Sequence, residues 1–125
     1  MSQLNRDPRW GRNGETASED PWYNGLYGAA YAEGAQYDPR EPGVLKSIVT
    51  RKRWGAYAVD LYKNSTGAWY RQSFDAQGSP FDMADSYAPV FEGAVRGHNG
   101  SSVANGAKYR GALGVMCSCE LGRKY

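Results

Sequence analysis

Apolar and polar positions alternate along the chain with two periods, and the switches between them mark its elements. Over residues 18–36, Trp22, Leu26, Ala29, Ala30 and Tyr31 recur near the helical period, with Gly34 close to the end, so this stretch predicts a helix. Thr16 and Glu19 have capping-box spacing ahead of it, and Pro21 suits a first helical turn. Gly25 and Gly28 fall inside this helix and should each weaken it by about 1 kcal/mol relative to alanine. Residues 45–50 end in Ile48, Val49 and Thr50, β-branched side chains that predict a short buried strand. A polar, turn-rich stretch over 63–79 follows. Ser79 and Pro80 then open a second helix as N-cap and N1 residues, with Phe81, Ala84, Ala88, Phe91 and Val95 on its inner face. Pro89 should kink that helix or end it early. Residues 112–118 form a second short apolar run and a second predicted strand.

Helix, strand, helix, strand is the order of a parallel α/β layout. Residues 1–125 read as one unit, with loops over 36–44 and 96–111, the latter rich in Gly, Asn and Ser. Two strands cannot bury both faces of a parallel sheet, so the layout is short of strands. Residues 1–5 read as the cut end of a further strand, of which Leu4 is left.

Composition narrows the function classes. A net charge of +2 is too small to argue for nucleic acid, and the basic residues are scattered apart from Arg51-Lys52-Arg53. No apolar stretch approaches the roughly 20 residues of a membrane span. Cys117 and Cys119 would share one face of a strand, near or beyond disulfide reach, and read as two small buried thiols. A zinc site would need two further ligands, and His98 is the single histidine, so neither metal nor cofactor is expected. In its Gly-His-Asn-Gly setting His98 reads as a solvated loop residue.

The densest chemistry lies in residues 6–21, where three arginines, one tryptophan and four carboxylates share a turn-rich stretch broken by Pro8, Gly11 and Gly14. A charged aromatic loop that feeds a helix is a common way to present polar groups to a ligand. Glu19 and Asp20 suit the start of that helix as capping and first-turn acids, as do Asp82 and Asp85 in the second helix. The segment Arg6-Asp-Pro-Arg-Trp-Gly-Arg12, with Glu15-Thr16 and Ser18-Glu19-Asp20-Pro21, resembles the signature of glycoside hydrolase family 3. Further segments fit in order: Lys52-Arg-Trp-Gly-Ala-Tyr57, Arg71-Gln-Ser-Phe-Asp-Ala76, Asp82-Met-Ala-Asp-Ser-Tyr-Ala-Pro-Val-Phe91 and Val115-Met-Cys-Ser118.

That resemblance implies a fold and a site. The fold would be an incomplete (β/α)8 TIM-barrel fragment with two or three helices, short parallel strands and long loops. Arg12 and Lys52 would hydrogen-bond sugar hydroxyls, with Arg53 beside them, and Trp10 and Tyr57 would support the site. The sequence departs from the family pattern at several points. Arg53 replaces a histidine, Cys119-Glu120 replace a Tyr-Asn pair, and an extra insert separates Val95 from Ala112. The family's nucleophile is an Asp in a Ser-Asp segment downstream of these residues, and its acid/base lies further on. Retaining glycosidases need that pair about 5 Å apart. The expectation is a segment related to enzymes that cleave terminal β-linked glucose or xylose, inactive alone. The alternative is a non-catalytic structural or interaction subunit, whose protein partner would cover exposed sheet edges.

Overall fold

In the computed structural model, the residues described are 3–55, 57, 62–63, 69–70, 78–98 and 108–117. A loop with one 3-10 turn (Asn13–Glu15) leads into helix α1 (Pro21–Gln36), followed by strand β1 (Thr50–Trp54). Two short strands, β2 (Tyr62–Lys63) and β3 (Trp69–Tyr70), pair antiparallel. A second helical stretch runs through α2 (Pro80–Asp82), a π turn (Met83–Tyr87) and α3 (Ala88–Arg96), and strand β4 (Gly114–Cys117) closes the order. β1 and β4 pair in parallel, with Thr50 opposite Gly114 and Lys52 opposite Met116, and the register shifts between Lys52 and Trp54. The architecture is therefore α/β, with two parallel strands linked through the second helix, as the alternation of patterns implied.

Local chemistry explains both helix starts. Asp20, rather than Thr16, caps α1: its carboxylate accepts from Tyr23 N–H at 2.6 Å, and Pro21 takes the first helical position. Thr16 instead donates to the Asn13 carbonyl and pairs with Asn5. At the second helix Ser79 and Asp82 form a reciprocal capping box with Pro80 at N1. Pro89 neither ends nor breaks this helix. A proline here lacks the N–H that would reach the Asp85 carbonyl, and a five-residue π turn just before it widens the backbone, so the helix continues to Arg96. Gly97 ends it at φ 73°, a conformation that disfavours other residues.

The π turn also resets which residues face inward. It inserts one residue, about 100° of rotation, and the buried set becomes Tyr87, Val90, Phe91 and Ala94. Phe81, expected inside, is 73% exposed, and Val95 is 41% exposed. Helix α1 shows a parallel surprise: Trp22 and Tyr31 lie outside, and the buried face is Asn24, Gly25, Gly28, Ala29, Ala32 and Gln36. Small residues let the two helices touch backbone to backbone. A Cβ on Gly25 would sit 3.2 Å from the Gly93 Cα, so the glycines expected to weaken α1 are its packing surface. The run 45–50 is not a buried strand; Leu45 and Ile48 are exposed, Leu45 makes a single bridge to Tyr37, and the ladder with β4 begins only at Thr50.

Gln36 joins the pieces. Fully buried at the end of α1, its Oε1 accepts from the N–H groups of Val49 (3.0 Å) and Leu113 (3.1 Å), and its Nε2 donates to the Gly111 carbonyl at 3.1 Å. One side chain thus fixes the approach of both parallel strands to α1. No helix among the described residues is long and apolar enough to cross a membrane. Cys117 is exposed rather than buried, and Cys119 and Glu120 lie outside the described residues, as do residues 71–76.

Candidate functional site

The loop ahead of α1 is held by buried polar anchors. Asn24, 1% exposed, donates to the carbonyls of Gln3 (3.0 Å) and Ser18 (2.7 Å), and its Oδ1 accepts from Ala17 N–H at 3.3 Å. Gln3, buried beside it, donates to the Arg53 carbonyl, which ties the chain start to β1. Trp10 turns inward and meets the ring of Tyr57 edge-on at 6.1 Å, both essentially buried. The Arg53 guanidinium lies over the Tyr57 ring at 4.5 Å, a cation–π contact. Arg6 stands over Tyr87 at 5.2 Å, and Trp54 meets Phe91 at 5.1 Å, so the loop, β1 and the second helix are joined through aromatic rings.

Arg12 is the charged pivot. Its Nε and Nη2 donate to the two carboxylate oxygens of Glu15, each at 2.7 Å. This fork, with a further contribution from Tyr57, raises the Arg12 pKa, and the same pair holds Glu15 below its ordinary value. Two of the five guanidinium hydrogens are committed to Glu15 in this way, and the side chain retains 19% exposure. Lys52, exposed on β1, acts electrostatically on the same carboxylate. Arg12, Arg53, Trp10 and Tyr57 thus form one cluster, and Lys52 joins it through Glu15.

Beside that cluster opens a cleft of about 370 Å³, lined by Gly14, Glu15, Thr16 and Ala17 from the loop, Tyr27 and Tyr31 from α1, and 49–52 from the strand side. Its chemistry is hydroxyls, aromatic faces and cations, with one carboxylate, Glu15, held by Arg12. Such groups grip a polyol through many directional hydrogen bonds and stack against its apolar face. Each carboxylate of the described residues with a displaced pKa is pulled down: Asp7 to about 2 by Arg9, Asp38 to about 2 by Arg40, and Glu15, Glu33 and Asp82 by Arg12, Arg110 and Ser79. A general acid needs the opposite shift.

Two residues escaped the sequence reading. Arg51, seen only as part of a basic triplet, is 6% exposed and lines the cleft. His98, expected in solvent, packs edge-on against Trp22 at 5.9 Å and bridges to Tyr109. The strict alternation of a strand gave a signal for the first: Arg51 sits between the exposed Thr50 and Lys52. Nothing local marked the second.

Sequence relatives carry the same stretch. Over 91 residues the chain is 38% identical to Beta-D-xylosidase 3 of Arabidopsis thaliana, covering 72% of this chain and 11% of that protein. It is 39% identical over 99 residues to Beta-xylosidase/alpha-L-arabinofuranosidase 1 of Medicago sativa subsp. varia, covering 78% of this chain and 12% of that one. A second Medicago protein, Beta-xylosidase/alpha-L-arabinofuranosidase 2, is 38% identical over 99 residues, 78% of this chain and 12% of its own length. The chain therefore spans about one eighth of the length of these curated relatives. No family model matches it, and no solved structure matches it.

Proposed function

We infer, for a chain that is by sequence a β-xylosidase-type segment of glycoside hydrolase family 3, that these residues hold a terminal β-linked xylose rather than break its bond. The observation that carries this reading is the convergence of Arg12, Lys52, Arg53, Trp10 and Tyr57 around Glu15. Arg12 and Lys52 donate to sugar hydroxyls, Glu15 fixes the Arg12 fork, and Trp10 with Tyr57 holds the loop against β1. Arg53 meets Tyr57 as a cation over a ring, which gives it a supporting role rather than the hydrogen-bond exchange of a neutral imidazole.

No step of glycoside cleavage is assigned to this segment. Retaining hydrolysis needs one carboxylate nucleophile and one carboxylic acid of raised pKa. Here Glu15 is committed to Arg12, Asp7 to Arg9, Asp38 to Arg40 and Glu33 to Arg110, and all stay ionised at neutral pH. In the larger fold, the β1–helix–β4 unit supplies two parallel strands of a (β/α)8 barrel with the intervening helix on its outside. Val115 and Met116, about half exposed on β4, belong to the apolar surface against which further barrel structure packs. Equilibrium binding of a methyl β-xyloside to the protein tests the sugar-holding role. Arg12→Ala and Lys52→Met should each weaken it by about tenfold, the loss of one charge-assisted hydrogen bond. Unchanged affinity in both variants would refute it.

A further inference from the structure

Five arginines among the described residues can be compared by what their guanidinium edge meets. Arg9, Arg12, Arg40 and Arg110 each use Nε together with Nη2 as a two-pronged fork on a carboxylate. Arg51 has the same two nitrogens buried and without a partner among the described residues. It is also by far the most enclosed of the five, at 6% exposure. A buried guanidinium without a counter-ion is a costly arrangement, because burial removes hydration that nothing replaces. The groups acting on it electrostatically are Tyr27 and Tyr31, not a carboxylate. Glu15, which lines the same cleft, is already gripped by Arg12.

The fold makes room for this side chain. Its Nη2 and Cζ lie where a Cβ on residue 28 would stand, 2.9 and 3.0 Å from that position, so Gly28 of α1 is what lets the guanidinium lie under the helix. Arg51 also lines the cleft, so its side chain stands at the wall of the opening. The cleft volume of about 370 Å³ is much larger than a bare carboxylate group needs, and Tyr27, Tyr31, Thr16, Thr50 and Lys52 give it the walls of a sugar site.

We propose that this cleft binds a sugar bearing a carboxylate, of the uronic-acid class, with Arg51 as the receptor for its acid group. The proposal rests on the carbohydrate reading above and adds the charge of the ligand to it. Binding would give Nε and Nη2, without a partner among the described residues, a bidentate pair, so the acidic sugar should be preferred over a neutral one of equal size.

The test is calorimetric titration of the 125-residue protein with an unbranched xylo-oligosaccharide, the same backbone carrying one glucuronic acid branch, free glucuronate and acetate. The branched acidic ligand should bind about tenfold tighter than the neutral one. That advantage should shrink with added salt, vanish in Arg51→Gln and persist in part in Arg51→Lys. Glucuronate should bind more tightly than acetate. Equal affinity for the acidic and neutral oligosaccharides overturns the proposal and leaves the sugar-holding role of Arg12 standing. Acetate binding as tightly as glucuronate overturns its sugar component. Glucuronate binding that depends on Arg51, with no binding of the neutral oligosaccharide, supports the proposal and removes the neutral-xylose reading instead. Should Arg51→Gln fail to fold, the comparison of acidic and neutral ligands on the wild-type chain decides the matter.

Discussion

The same substitution, glycine to alanine, should have opposite signs at two positions of α1. Gly28 faces the second helix and β1: an added Cβ would stand 2.8 Å from the Ala94 Cβ and 2.9 Å from Arg51 Nη2. The Arg51 end can swing away, but Ala94 is fixed on a packed helix. Overpacking of that kind costs about 1–3 kcal/mol, against about 1 kcal/mol regained from the better helix propensity of alanine. The net expectation for Gly28→Ala is a loss of up to about 2 kcal/mol. Gly34 lies two residues from the end of the same helix, with nothing within 4 Å of its would-be Cβ. Gly34→Ala therefore keeps the gain alone, up to about 1 kcal/mol. Urea unfolding reads both. With a slope of about 1–3 kcal/mol per molar, the two midpoints should part by about 0.3–3 M, Gly34→Ala the higher. If Gly28→Ala raises the midpoint as Gly34→Ala does, at an unchanged slope, the close approach of α1 to Ala94 and Arg51 is refuted.

Further outcomes follow from single side chains. Gln36→Leu removes three bonds to buried backbone and leaves the N–H groups of Val49 and Leu113 orphaned, so stability should fall by about 3 kcal/mol by urea unfolding; a loss below about 1 kcal/mol contradicts its role as a clamp. Asp20→Ala should cost about 1 kcal/mol through the lost N-cap, whereas Thr16→Val should leave the start of α1 unchanged, a contrast that helix-resolved hydrogen exchange can read. Arg110 holds the Glu33 carboxyl below its ordinary value through its side chain and backbone N–H. A depressed folded pKa stabilises above the unfolded value, near 4.5, and the gain is lost as pH falls through the lower folded value. Wild type should exceed Glu33→Gln by about 1 kcal/mol at neutral pH and converge with it in acid; a gap that widens on acidification contradicts the pairing.

The fold was readable where punctuation is local. Ser79, Pro80 and Pro21 marked helix starts through backbone chemistry that needs no tertiary partner, and the β-branched and apolar runs near 50 and 115 located the parallel pair to within a few residues. The inner faces were not readable, for a physical reason. Helix α1 buries glycine, alanine and two amides because its neighbour lies too close for larger side chains, so its aromatic residues mark the outside. In the second helix the π turn at 83–87 breaks the period that placed Phe81 inside.

At the site, the resemblance singled out Trp10 and Arg12 in the first loop and Lys52, Arg53 and Tyr57 in a later segment; in the structure Trp10 and Arg53 meet Tyr57, and Arg12 and Lys52 act on Glu15. Glu15 entered only as part of the family signature, and the structure shows it accepting both prongs of the Arg12 fork. Arg51 and Gln36 escaped because their significance lies in what surrounds them: among the described residues the Arg51 Nε and Nη2 have no partner and the Gln36 side chain has three, facts that spacing along a chain does not carry.

An aryl β-xyloside titrated into the isotope-labelled protein, followed by NMR over hours, reads both the position of the sugar and the survival of its bond. On the proposed sugar-holding role, shifts should concentrate at Arg12, Glu15, Lys52 and Tyr57 while the glycoside stays intact, because Glu15, the carboxylate lining the cleft, is held by Arg12. Release of xylose by the protein, or shifts that leave those residues untouched, would contradict the assignment of these residues to holding rather than cleaving.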